Sequence, residues 1–369
     1  MVLAMQIKTI IDYLEEIAPL SYQESYDNAG LLTGDPRWEL SNALLTLDAT
    51  EPVIDEAIAR GCNLVIAHHP IIWGGLKKIN GKNYVERAVI KAIKHDIAIY
   101  AAHTNLDNIR GGVNDMLCRQ LGLGDLRPLA PRSRALKKLY TFVPHAQAEK
   151  VREALFASGA GHIGQYDACS YNTEGYGTFR GAADTHPYAG EAGKKHREPE
   201  TRIEVVFPAP LESTVTAALC AAHPYEEPAY DILLLENSWA GVGSGMVGML
   251  PAPVDEGAFL QQVKTQLSAG GIRHTALLGK PVRKVAVCGG AGSFLLPAAR
   301  RAGADVYLSA DFKYHEFFDA DSQILIIDVG HYESEQFTPL LFYELLTKKF
   351  PNFAPLKTAV LTNPIHYLH

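Results

Sequence analysis

The chain has 369 residues, of which 47% are hydrophobic and 20% are charged, and its formal net charge at pH 7 is -7. This composition is ordinary for a globular protein and excludes disorder, collagen and coiled coil as descriptions of the whole chain. The acidic charge disfavours a nucleic-acid partner, because binding to the phosphate backbone relies on Lys and Arg. At roughly 100–200 residues per domain, the length predicts two or three domains.

The sequence carries no sign of export or membrane insertion. The first apolar stretch, residues 7–17, is interrupted by four charged residues, so it lacks the continuous apolar core of a signal peptide. No run approaches the roughly 20 apolar residues of a membrane span. The five cysteines are scattered and lack a CxxC spacing, which indicates reduced thiols. We therefore expect a cytoplasmic protein with no membrane partner.

Short apolar runs and amphipathic segments alternate in the first third of the chain. We predict strands over residues 43–47, 64–67 and 97–101, and helices over 52–60, 84–95 and 113–121. Pro52 lies near the start of the first helix and Gly61 follows its end, where these residue types are favoured. The alternation predicts a parallel sheet that is covered by helices on both faces.

The composition changes near Pro128 and Pro131, where a basic segment, 132–138, follows. The next unit, 132–239, shows strand, helix, two strands, helix and strand over 139–143, 149–156, 166–171, 203–207, 215–222 and 230–235. This βαββαβ order is typical of a ferredoxin-like fold. Residues 173–200, between its second and third strands, are rich in Gly, Pro and charge and predict a functional or disordered loop.

The α/β pattern resumes after residue 237. We predict a helix over 259–267, a strand over 284–287 and a second helix that ends at 301. A strand over 306–308, a helix that carries His315, a strand over 324–329 and a final helix over 339–348 follow. The glycine-rich turn 289–293 precedes a predicted helix and could bind a phosphate at the helix N-terminus. Glycines after a strand are, however, more often simply part of a tight turn. The simplest fold is one α/β domain built from residues 1–131 and 240–369 and interrupted by the 132–239 unit.

Polar side chains follow the predicted strands of both outer segments. They are His68, His69, His103, Asp107, Asp311, His315, His331 and Glu335. Because ligands bind outside the carboxyl ends of strands in open parallel sheets, we expect these side chains to lie close together. Imidazole and carboxylate donors without a thiol suit Zn, Mn, Fe or Ni.

The spacing of these residues favours a site for two ions. His331 and Glu335 are four apart and would share one helix face. His68 and His69 are adjacent at a strand end, where the chain turns before Pro70 and the two imidazoles can serve two neighbouring ions. Each motif alone has an ordinary explanation: a structural His-His-Pro, a solvated helical pair, or an Asp107 helix cap. Together they predict a dinuclear site with a bridging carboxylate and open positions for water.

Several motifs resemble the Nif-three-like dinuclear-metal family, whose members are often named GTP cyclohydrolase 1 type 2 homologs. HHP (68–70), HTNLD (103–107) and GHYESE (330–335) occur in the family's order, and DNAG (27–30) and SADFKYH (309–315) are also similar. The resemblance spans essentially the whole chain. It implies two divalent ions, with Zn favoured over Mn, Fe, Ni or Co, and the ligands His68, His69, Asp107, His331 and a bridging Glu335.

The resemblance also implies an assembly and an activity. Family members form ring-like homohexamers, built as trimers of dimers. GHIG (161–164), NTEG (172–175) and HPYEEP (223–228) make the insertion similar to a PII/CutA-like domain. The family name implies a metal-dependent hydrolase in which water attacks a small-molecule, nucleotide-like substrate, at C8 of the purine in the case of GTP. The catalytic candidates are His103 or His315 for proton transfer and Asp311 for orienting that histidine or the water. The alternative is a non-catalytic metal-binding regulatory or adaptor protein with a PII-like sensing domain.

Overall fold

A computed structural model describes residues 5–368, so the predicted domain limits at 1 and 369 lie outside the described residues. The chain divides into two compact units. The first unit combines Met1–Pro131 with Ala240–His369, and the second is Arg132–Trp239. None of the helices in the described part of the chain combines the length and the apolar character that a bilayer crossing requires.

The first segment of the first unit follows the predicted alternation. Its elements are α1 (Ile7–Ile17), β1 (Gly30–Thr33), β2 (Ala43–Asp48), α2 (Glu51–Ala59), β3 (Leu64–His69), α3 (Tyr84–Lys94), β4 (Ala98–Ala101), α4 (Thr104–Asp107), α5 (Val113–Gln120) and β5 (Gly124–Ser133). The Asn83 side chain caps α3 by accepting a hydrogen bond from the Glu86 amide. The single turn α4 was not predicted, and it carries Asp107 to the end of β4.

The second unit has the element order βαββαβ. Its elements are β6 (Leu136–Pro144), α6 (Ala148–Ala157), β7 (Tyr171–Phe179), β8 (His196–Pro208), α7 (Glu212–Ala222) and β9 (Tyr230–Leu235). They form a four-stranded sheet in the order β7-β8-β6-β9, with all neighbours antiparallel.

Two details of the second unit differ from the sequence prediction. The strand predicted over 166–171 begins only at Tyr171, and much of the predicted loop 173–200 is a β-hairpin in which Phe179 pairs with His196. The connecting loop is confined to residues 180–195. Most of β7 is exposed, so this strand lacks the alternation of apolar and polar residues by which strands are recognised.

The second segment completes the first unit. Its elements are β10 (Ser238–Val254), α8 (Glu256–Gln266), β11 (Arg273–His274), β12 (Val282–Ala291), α9 (Leu296–Arg301), β13 (Val306–Ala310), β14 (Leu325–Asp328), α10 (His331–Glu335), α11 (Thr338–Lys349) and β15 (Leu356–Lys357). The predicted helix around His315 is a 3-10 helix, Tyr314–Ala320. The long strand β10 was not predicted.

Two sheets organise the described part of the first unit. One has the order β1-β4-β3-β2-β15, in which β4, β3, β2 and β15 are parallel. The other has the order β11-β14-β13-β12-β10-β5, with β14, β13 and β12 parallel. Their central residues, such as Ile66 and Leu308, are completely buried. The predicted parallel sheet is thus two mixed sheets. The polar residues lie at the carboxyl end of β3 or follow the carboxyl ends of β4, β13 and β14.

Candidate metal centre

Metal-ligating side chains converge at one place in the first unit. Three overlapping groups have ligand atoms within 4.8 Å of one another: His68, Asp107 and Glu335; His69, His331 and Glu335; and His68, His69 and His103. His68 and His69 end β3, whereas His331 and Glu335 begin and end α10. The structure therefore brings together all five predicted metal ligands and one predicted catalytic residue, His103.

Glu335 joins the first two groups through its two carboxylate oxygens. Its Oε2 lies 3.0 Å from His69 Nε2 and 3.2 Å from His331 Nε2. Its Oε1 lies 3.8 Å from His68 Nε2, which is in turn 3.6 Å from Asp107 Oδ1. Glu335 is only 3% exposed. One buried carboxylate thus faces two separate donor sets.

The four histidine side chains of the cluster are all held through their Nδ1 atoms. Each Nδ1 atom forms a hydrogen bond with an oxygen: His68 with the Ala102 carbonyl (2.8 Å), His69 with Asp48 (2.7 Å), His103 with Asp27 (2.7 Å) and His331 with Asp311 (2.6 Å). An Nδ1–H that donates to such an acceptor leaves Nε2 with a free lone pair. Histidine ligands of metals are held in this way in proteins, since the second hydrogen bond fixes both tautomer and ring orientation.

Two unpartnered atoms show that these residues fit a cation. His68 Nε2 and Asp107 Oδ1 are buried and have no hydrogen-bond partner among the described residues. Leaving buried polar atoms unsatisfied costs free energy. With Nδ1 of His68 donating to Ala102, both atoms are acceptors, and a cation between them would satisfy both. The site can therefore hold a metal ion through nitrogen and oxygen donors.

The pKa values of the clustered side chains indicate which of them are charged when no metal is bound. Burial lowers the pKa of His69, but hydrogen bonds with Asp48 and Glu335 outweigh it and raise the pKa to about 9. Burial likewise lowers the pKa of His331, while the charge of Glu335 raises it to about 11. Burial raises the pKa of Asp107 to about 7. Without a metal, protons on the imidazoles balance the buried carboxylate, and a divalent cation can replace them.

The three residues predicted to be catalytic have different surroundings. His103 is 8% exposed, and its ring lies 5.2 Å from that of His68. Asp311 holds Nδ1 of His331 from a backbone with φ of 58°, a left-handed conformation that is rare outside glycine and occurs at functional sites. The structure does not bring His315 into the cluster, since this exposed residue packs its ring against Tyr314 and Phe318.

Asp27 and Asp48 hold two of the imidazoles, and the sequence patterns did not identify either residue as part of the site. Burial raises the pKa of Asp27, but hydrogen bonds with His103 and Thr104 outweigh it and hold the pKa at about 2. Asp48 ends β2, one residue beyond the predicted strand, and accepts a hydrogen bond of 2.6 Å from Thr362. The available signals were the DNAG motif and the position of Asp48 at the end of a strand.

A cavity of about 270 Å³ opens beside the cluster, lined by His103, Asp107, His331 and Glu335 together with Tyr26, Trp73 and Phe294. Trp73 and Phe294 are 52% and 64% exposed. The Trp73 ring lies 5.1 Å from that of His103. The cavity thus joins the metal-ligating groups to aromatic surfaces that a flat ligand could stack upon.

The glycine-rich turn 289–293 leaves room for the shared carboxylate. Gly290 has φ of +62°, and a Cβ there would lie 2.6 Å from Glu335 Oε1 and 3.1 Å from His331 Nε2. Gly279 has a similar φ of +69°, and a Cβ there would have nothing within 4 Å. Substitution of either glycine would strain the backbone, but only substitution of Gly290 would also obstruct the site.

We predict that Gly290→Ala weakens Zn²⁺ binding by about ten- to a hundredfold, because the new methyl group displaces the Glu335 carboxylate. Gly279→Ala is the control, since it meets the same backbone strain of about 1–2 kcal/mol without touching the site. Affinity can be measured by competition with a chromophoric chelator. Equal Zn²⁺ affinities in the two variants would contradict this account of the carboxylate.

Comparison with known proteins places the chain in a family. Residues 5–364 match the model of Duf34/NIF3 (NGG1p interacting factor 3). A Halalkalibacterium halodurans protein named GTP cyclohydrolase 1 type 2 homolog is 42% identical over 326 residues, which cover 88% of each chain. A relative of the same name from Bacillus subtilis is 42% identical over 325 residues, which cover 88% of this chain and 87% of the relative.

Solved structures agree with that match. The crystal structure of a Bacillus cereus protein related to NIF3 has a TM-score of 0.85 and 39% identity, and the match covers 99% of this chain and 100% of that one. Staphylococcus aureus protein SA1388 has a TM-score of 0.78 and 28% identity, with 99% of each chain covered. These neighbours confirm the Nif-three-like α/β fold that the motifs predicted. The chain belongs to the Duf34/NIF3 family.

Proposed function

We propose that this protein is a hydrolase with a dinuclear divalent-metal centre that acts on a nucleotide-like substrate. The observation that carries the proposal is the shared Glu335, whose two oxygens face two separate donor sets. His69 and His331 with Oε2 would hold one ion, and His68 and Asp107 with Oε1 the other. Divalent ions, of which Zn²⁺ is favoured, polarise an attacked group and acidify water, which is the chemistry that hydrolysis requires.

The protein's own residues supply orientation and proton transfer. Asp27 fixes His103 through Nδ1, which leaves Nε2 to hold or transfer a proton beside the cavity. Asp311 acts through His331, whose ring it orients, so we assign it a positioning role. The proposal gives His315 no role in catalysis.

The aromatic side chains around the cavity support a flat heterocycle as substrate. Nucleobases stack readily on aromatic side chains, and Tyr26, Trp73 and Phe294 offer such surfaces next to the cluster. The name of the curated relatives points to a purine, GTP. With GTP, one water would add at C8 and open the imidazole ring, and a second would release formate.

The test is a product screen on Zn²⁺-reconstituted protein with GTP and a panel of other nucleotides. We expect formate from GTP, or hydrolysis of another nucleotide, with loss of product in Glu335→Gln. Asp27→Asn should lower the rate by about 10²-fold or more, because His103 loses its anionic partner. Glu344→Gln, which changes an exposed residue on α11, should keep full activity.

A metal-loaded protein that yields no product from any nucleotide would contradict the proposed activity. That result would favour the alternative, a metal-binding regulatory or adaptor protein. Unchanged product formation in Glu335→Gln would instead separate the activity from the metal centre.

We also propose that the protein assembles as a homohexamer, a trimer of dimers. An open groove of about 830 Å³ in the first unit exposes apolar side chains, including Leu277, Tyr314 and Phe318. Tyr314 and Phe318 are 73% and 66% exposed. Clusters of exposed apolar residues commonly mark interfaces between protein chains.

Light scattering after gel filtration should give six times the mass of one chain. Phe318→Asp should reduce this mass, because the interface would bury the new charge. Ile93→Asp, which changes a 52% exposed apolar residue on α3 outside the groove, serves as the control. A monomeric wild-type protein would contradict the assembly.

We propose a cytoplasmic location on the basis of the thiols. All five cysteines are free, and Cys62, Cys118 and Cys288 are buried as ordinary core residues. Free thiols are maintained in reducing compartments, whereas exported proteins tend to form disulfides.

A further inference from the structure

A second pocket lies entirely within the Arg132–Trp239 unit and contains none of the residues of the metal centre. It encloses about 740 Å³, and its lining comes from β6, from β7, from the 180–195 loop, from β8 and from residues 225–229. Aromatic rings form much of the wall, and they belong to Phe142, Tyr176, Phe179, Tyr188 and Tyr225. No step of the proposed hydrolysis uses this pocket.

Glu200 places a buried carboxylate in the wall of this pocket. It is 6% exposed, and its Oε1 accepts a hydrogen bond of 2.6 Å from the Tyr225 hydroxyl. Among residues 5–368, no Lys, Arg or His side chain forms an ion pair with it. A buried carboxylate without an opposite charge is costly, so the wall of the pocket carries a negative charge that a bound cation would neutralise.

Gly177 makes room for this carboxylate. A Cβ at position 177 would lie 2.3 Å from Glu200 Oε2. A larger residue on β7 would therefore push the carboxylate out of its position. The exposed strand is built so that Glu200 can lie against its backbone.

The aromatic rings around Glu200 also favour a positively charged ligand. The Tyr225 ring lies 5.8 Å from Phe179 and 6.2 Å from Tyr188, measured between centroids. The faces of aromatic rings are electronegative and attract cations, which is how ammonium groups are recognised in aromatic cages. Neutral apolar ligands would gain from the rings but would leave Glu200 unpaired.

The charges at the pocket mouth add to this preference. Asp184, Glu226 and Glu227 line the pocket, and Arg180 is the one Lys or Arg among the described lining residues. The nearby Arg197 stacks on the ring of Tyr176. Glu226 also accepts a hydrogen bond of 3.0 Å from the His186 amide, which ties the 180–195 loop to the far wall. An anionic ligand such as a phosphate would meet repulsion here.

The donor set narrows the class of cation. Ca²⁺ and Mg²⁺ require about six or more oxygen ligands, whereas Glu200 is the one buried carboxylate lining this pocket in the described residues. A guanidinium group prefers to approach both oxygens of a carboxylate in its plane, but the Tyr225 hydroxyl lies at Oε1 of Glu200 and Gly177 lies against Oε2. An alkylated ammonium needs no fixed hydrogen-bond geometry, and it can lie against an aromatic wall beside a single carboxylate.

We propose that the pocket of the Arg132–Trp239 unit binds a small organic cation with a methylated ammonium head. The Glu200 carboxylate meets its charge, and its methyl groups pack against the wall that Phe179, Tyr188 and Tyr225 form. The inserted unit would therefore bind a ligand separately from the metal centre, since the two pockets share no lining residue.

The test is calorimetric titration of the full chain, with metal bound, using choline and its neutral isostere 3,3-dimethyl-1-butanol. The two probes have the same shape and differ in charge. We expect choline to bind about tenfold or more tightly than the alcohol. Glu200→Gln should remove this preference while keeping an acceptor for the Tyr225 hydroxyl. Glu204→Gln, on the same strand and paired with Lys138, should leave it intact.

Phe179→Leu offers an independent check, because it removes a ring but retains an apolar side chain. It should weaken choline binding more than binding of the alcohol. Equal affinity for the two probes, no binding of choline to the wild type, or equal losses in Glu200→Gln and Glu204→Gln would each overturn the proposal. Zn²⁺ content, measured on the same samples, should be unchanged in every variant.

Discussion

The Glu335 carboxylate is almost completely buried, and its charge must be balanced by the groups around it. Burial raises the pKa of this carboxyl, but the charge of His331 outweighs burial and keeps the pKa well below its usual value. The balance therefore depends on imidazoles that are themselves held by acceptors at Nδ1. Asp48 holds His69 and Asp311 holds His331. Asp48 ends β2 of one sheet and Asp311 follows β13 of the other, so the position of Glu335 depends on strand ends in both sheets. A divalent cation bound here would replace the protons on the imidazoles as the balancing charge.

Chain connectivity explains why the ligands are so distant in sequence. His68 and His69 end a strand of one sheet, and Glu335 ends a helix that follows a strand of the other. The Arg132–Trp239 unit is inserted between these two segments. The centre consequently depends on both segments of the first unit being folded, and the 289–293 turn, with Gly290 beside Glu335, contributes its close packing. An inserted unit at such a point can acquire a binding pocket of its own without changing the ligand set.

The sequence predicted best what depends on local pattern. Buried parallel strands are continuous apolar runs, so β2, β3 and β13 were recognised, and histidines after such runs indicated the site. The hairpin of β7 and β8 was missed because β7 is largely exposed and lacks periodicity. Asp48 reaches His69 only because β2 pairs with β3 in the register Asp48 to His69, which no local pattern shows. Similarly, His315 shares a motif with Asp311, yet its 3-10 helix points its ring toward Phe318.

Anomalous diffraction from Zn²⁺-reconstituted crystals, recorded at the zinc absorption edge, would show whether two ions share one carboxylate. We expect two anomalous peaks in each chain. One should lie between His69, His331 and Glu335, and the other between His68, Asp107 and Glu335. A single peak, or two peaks of which only one contacts Glu335, would contradict the shared carboxylate. The absence of any peak after reconstitution would contradict the metal centre itself.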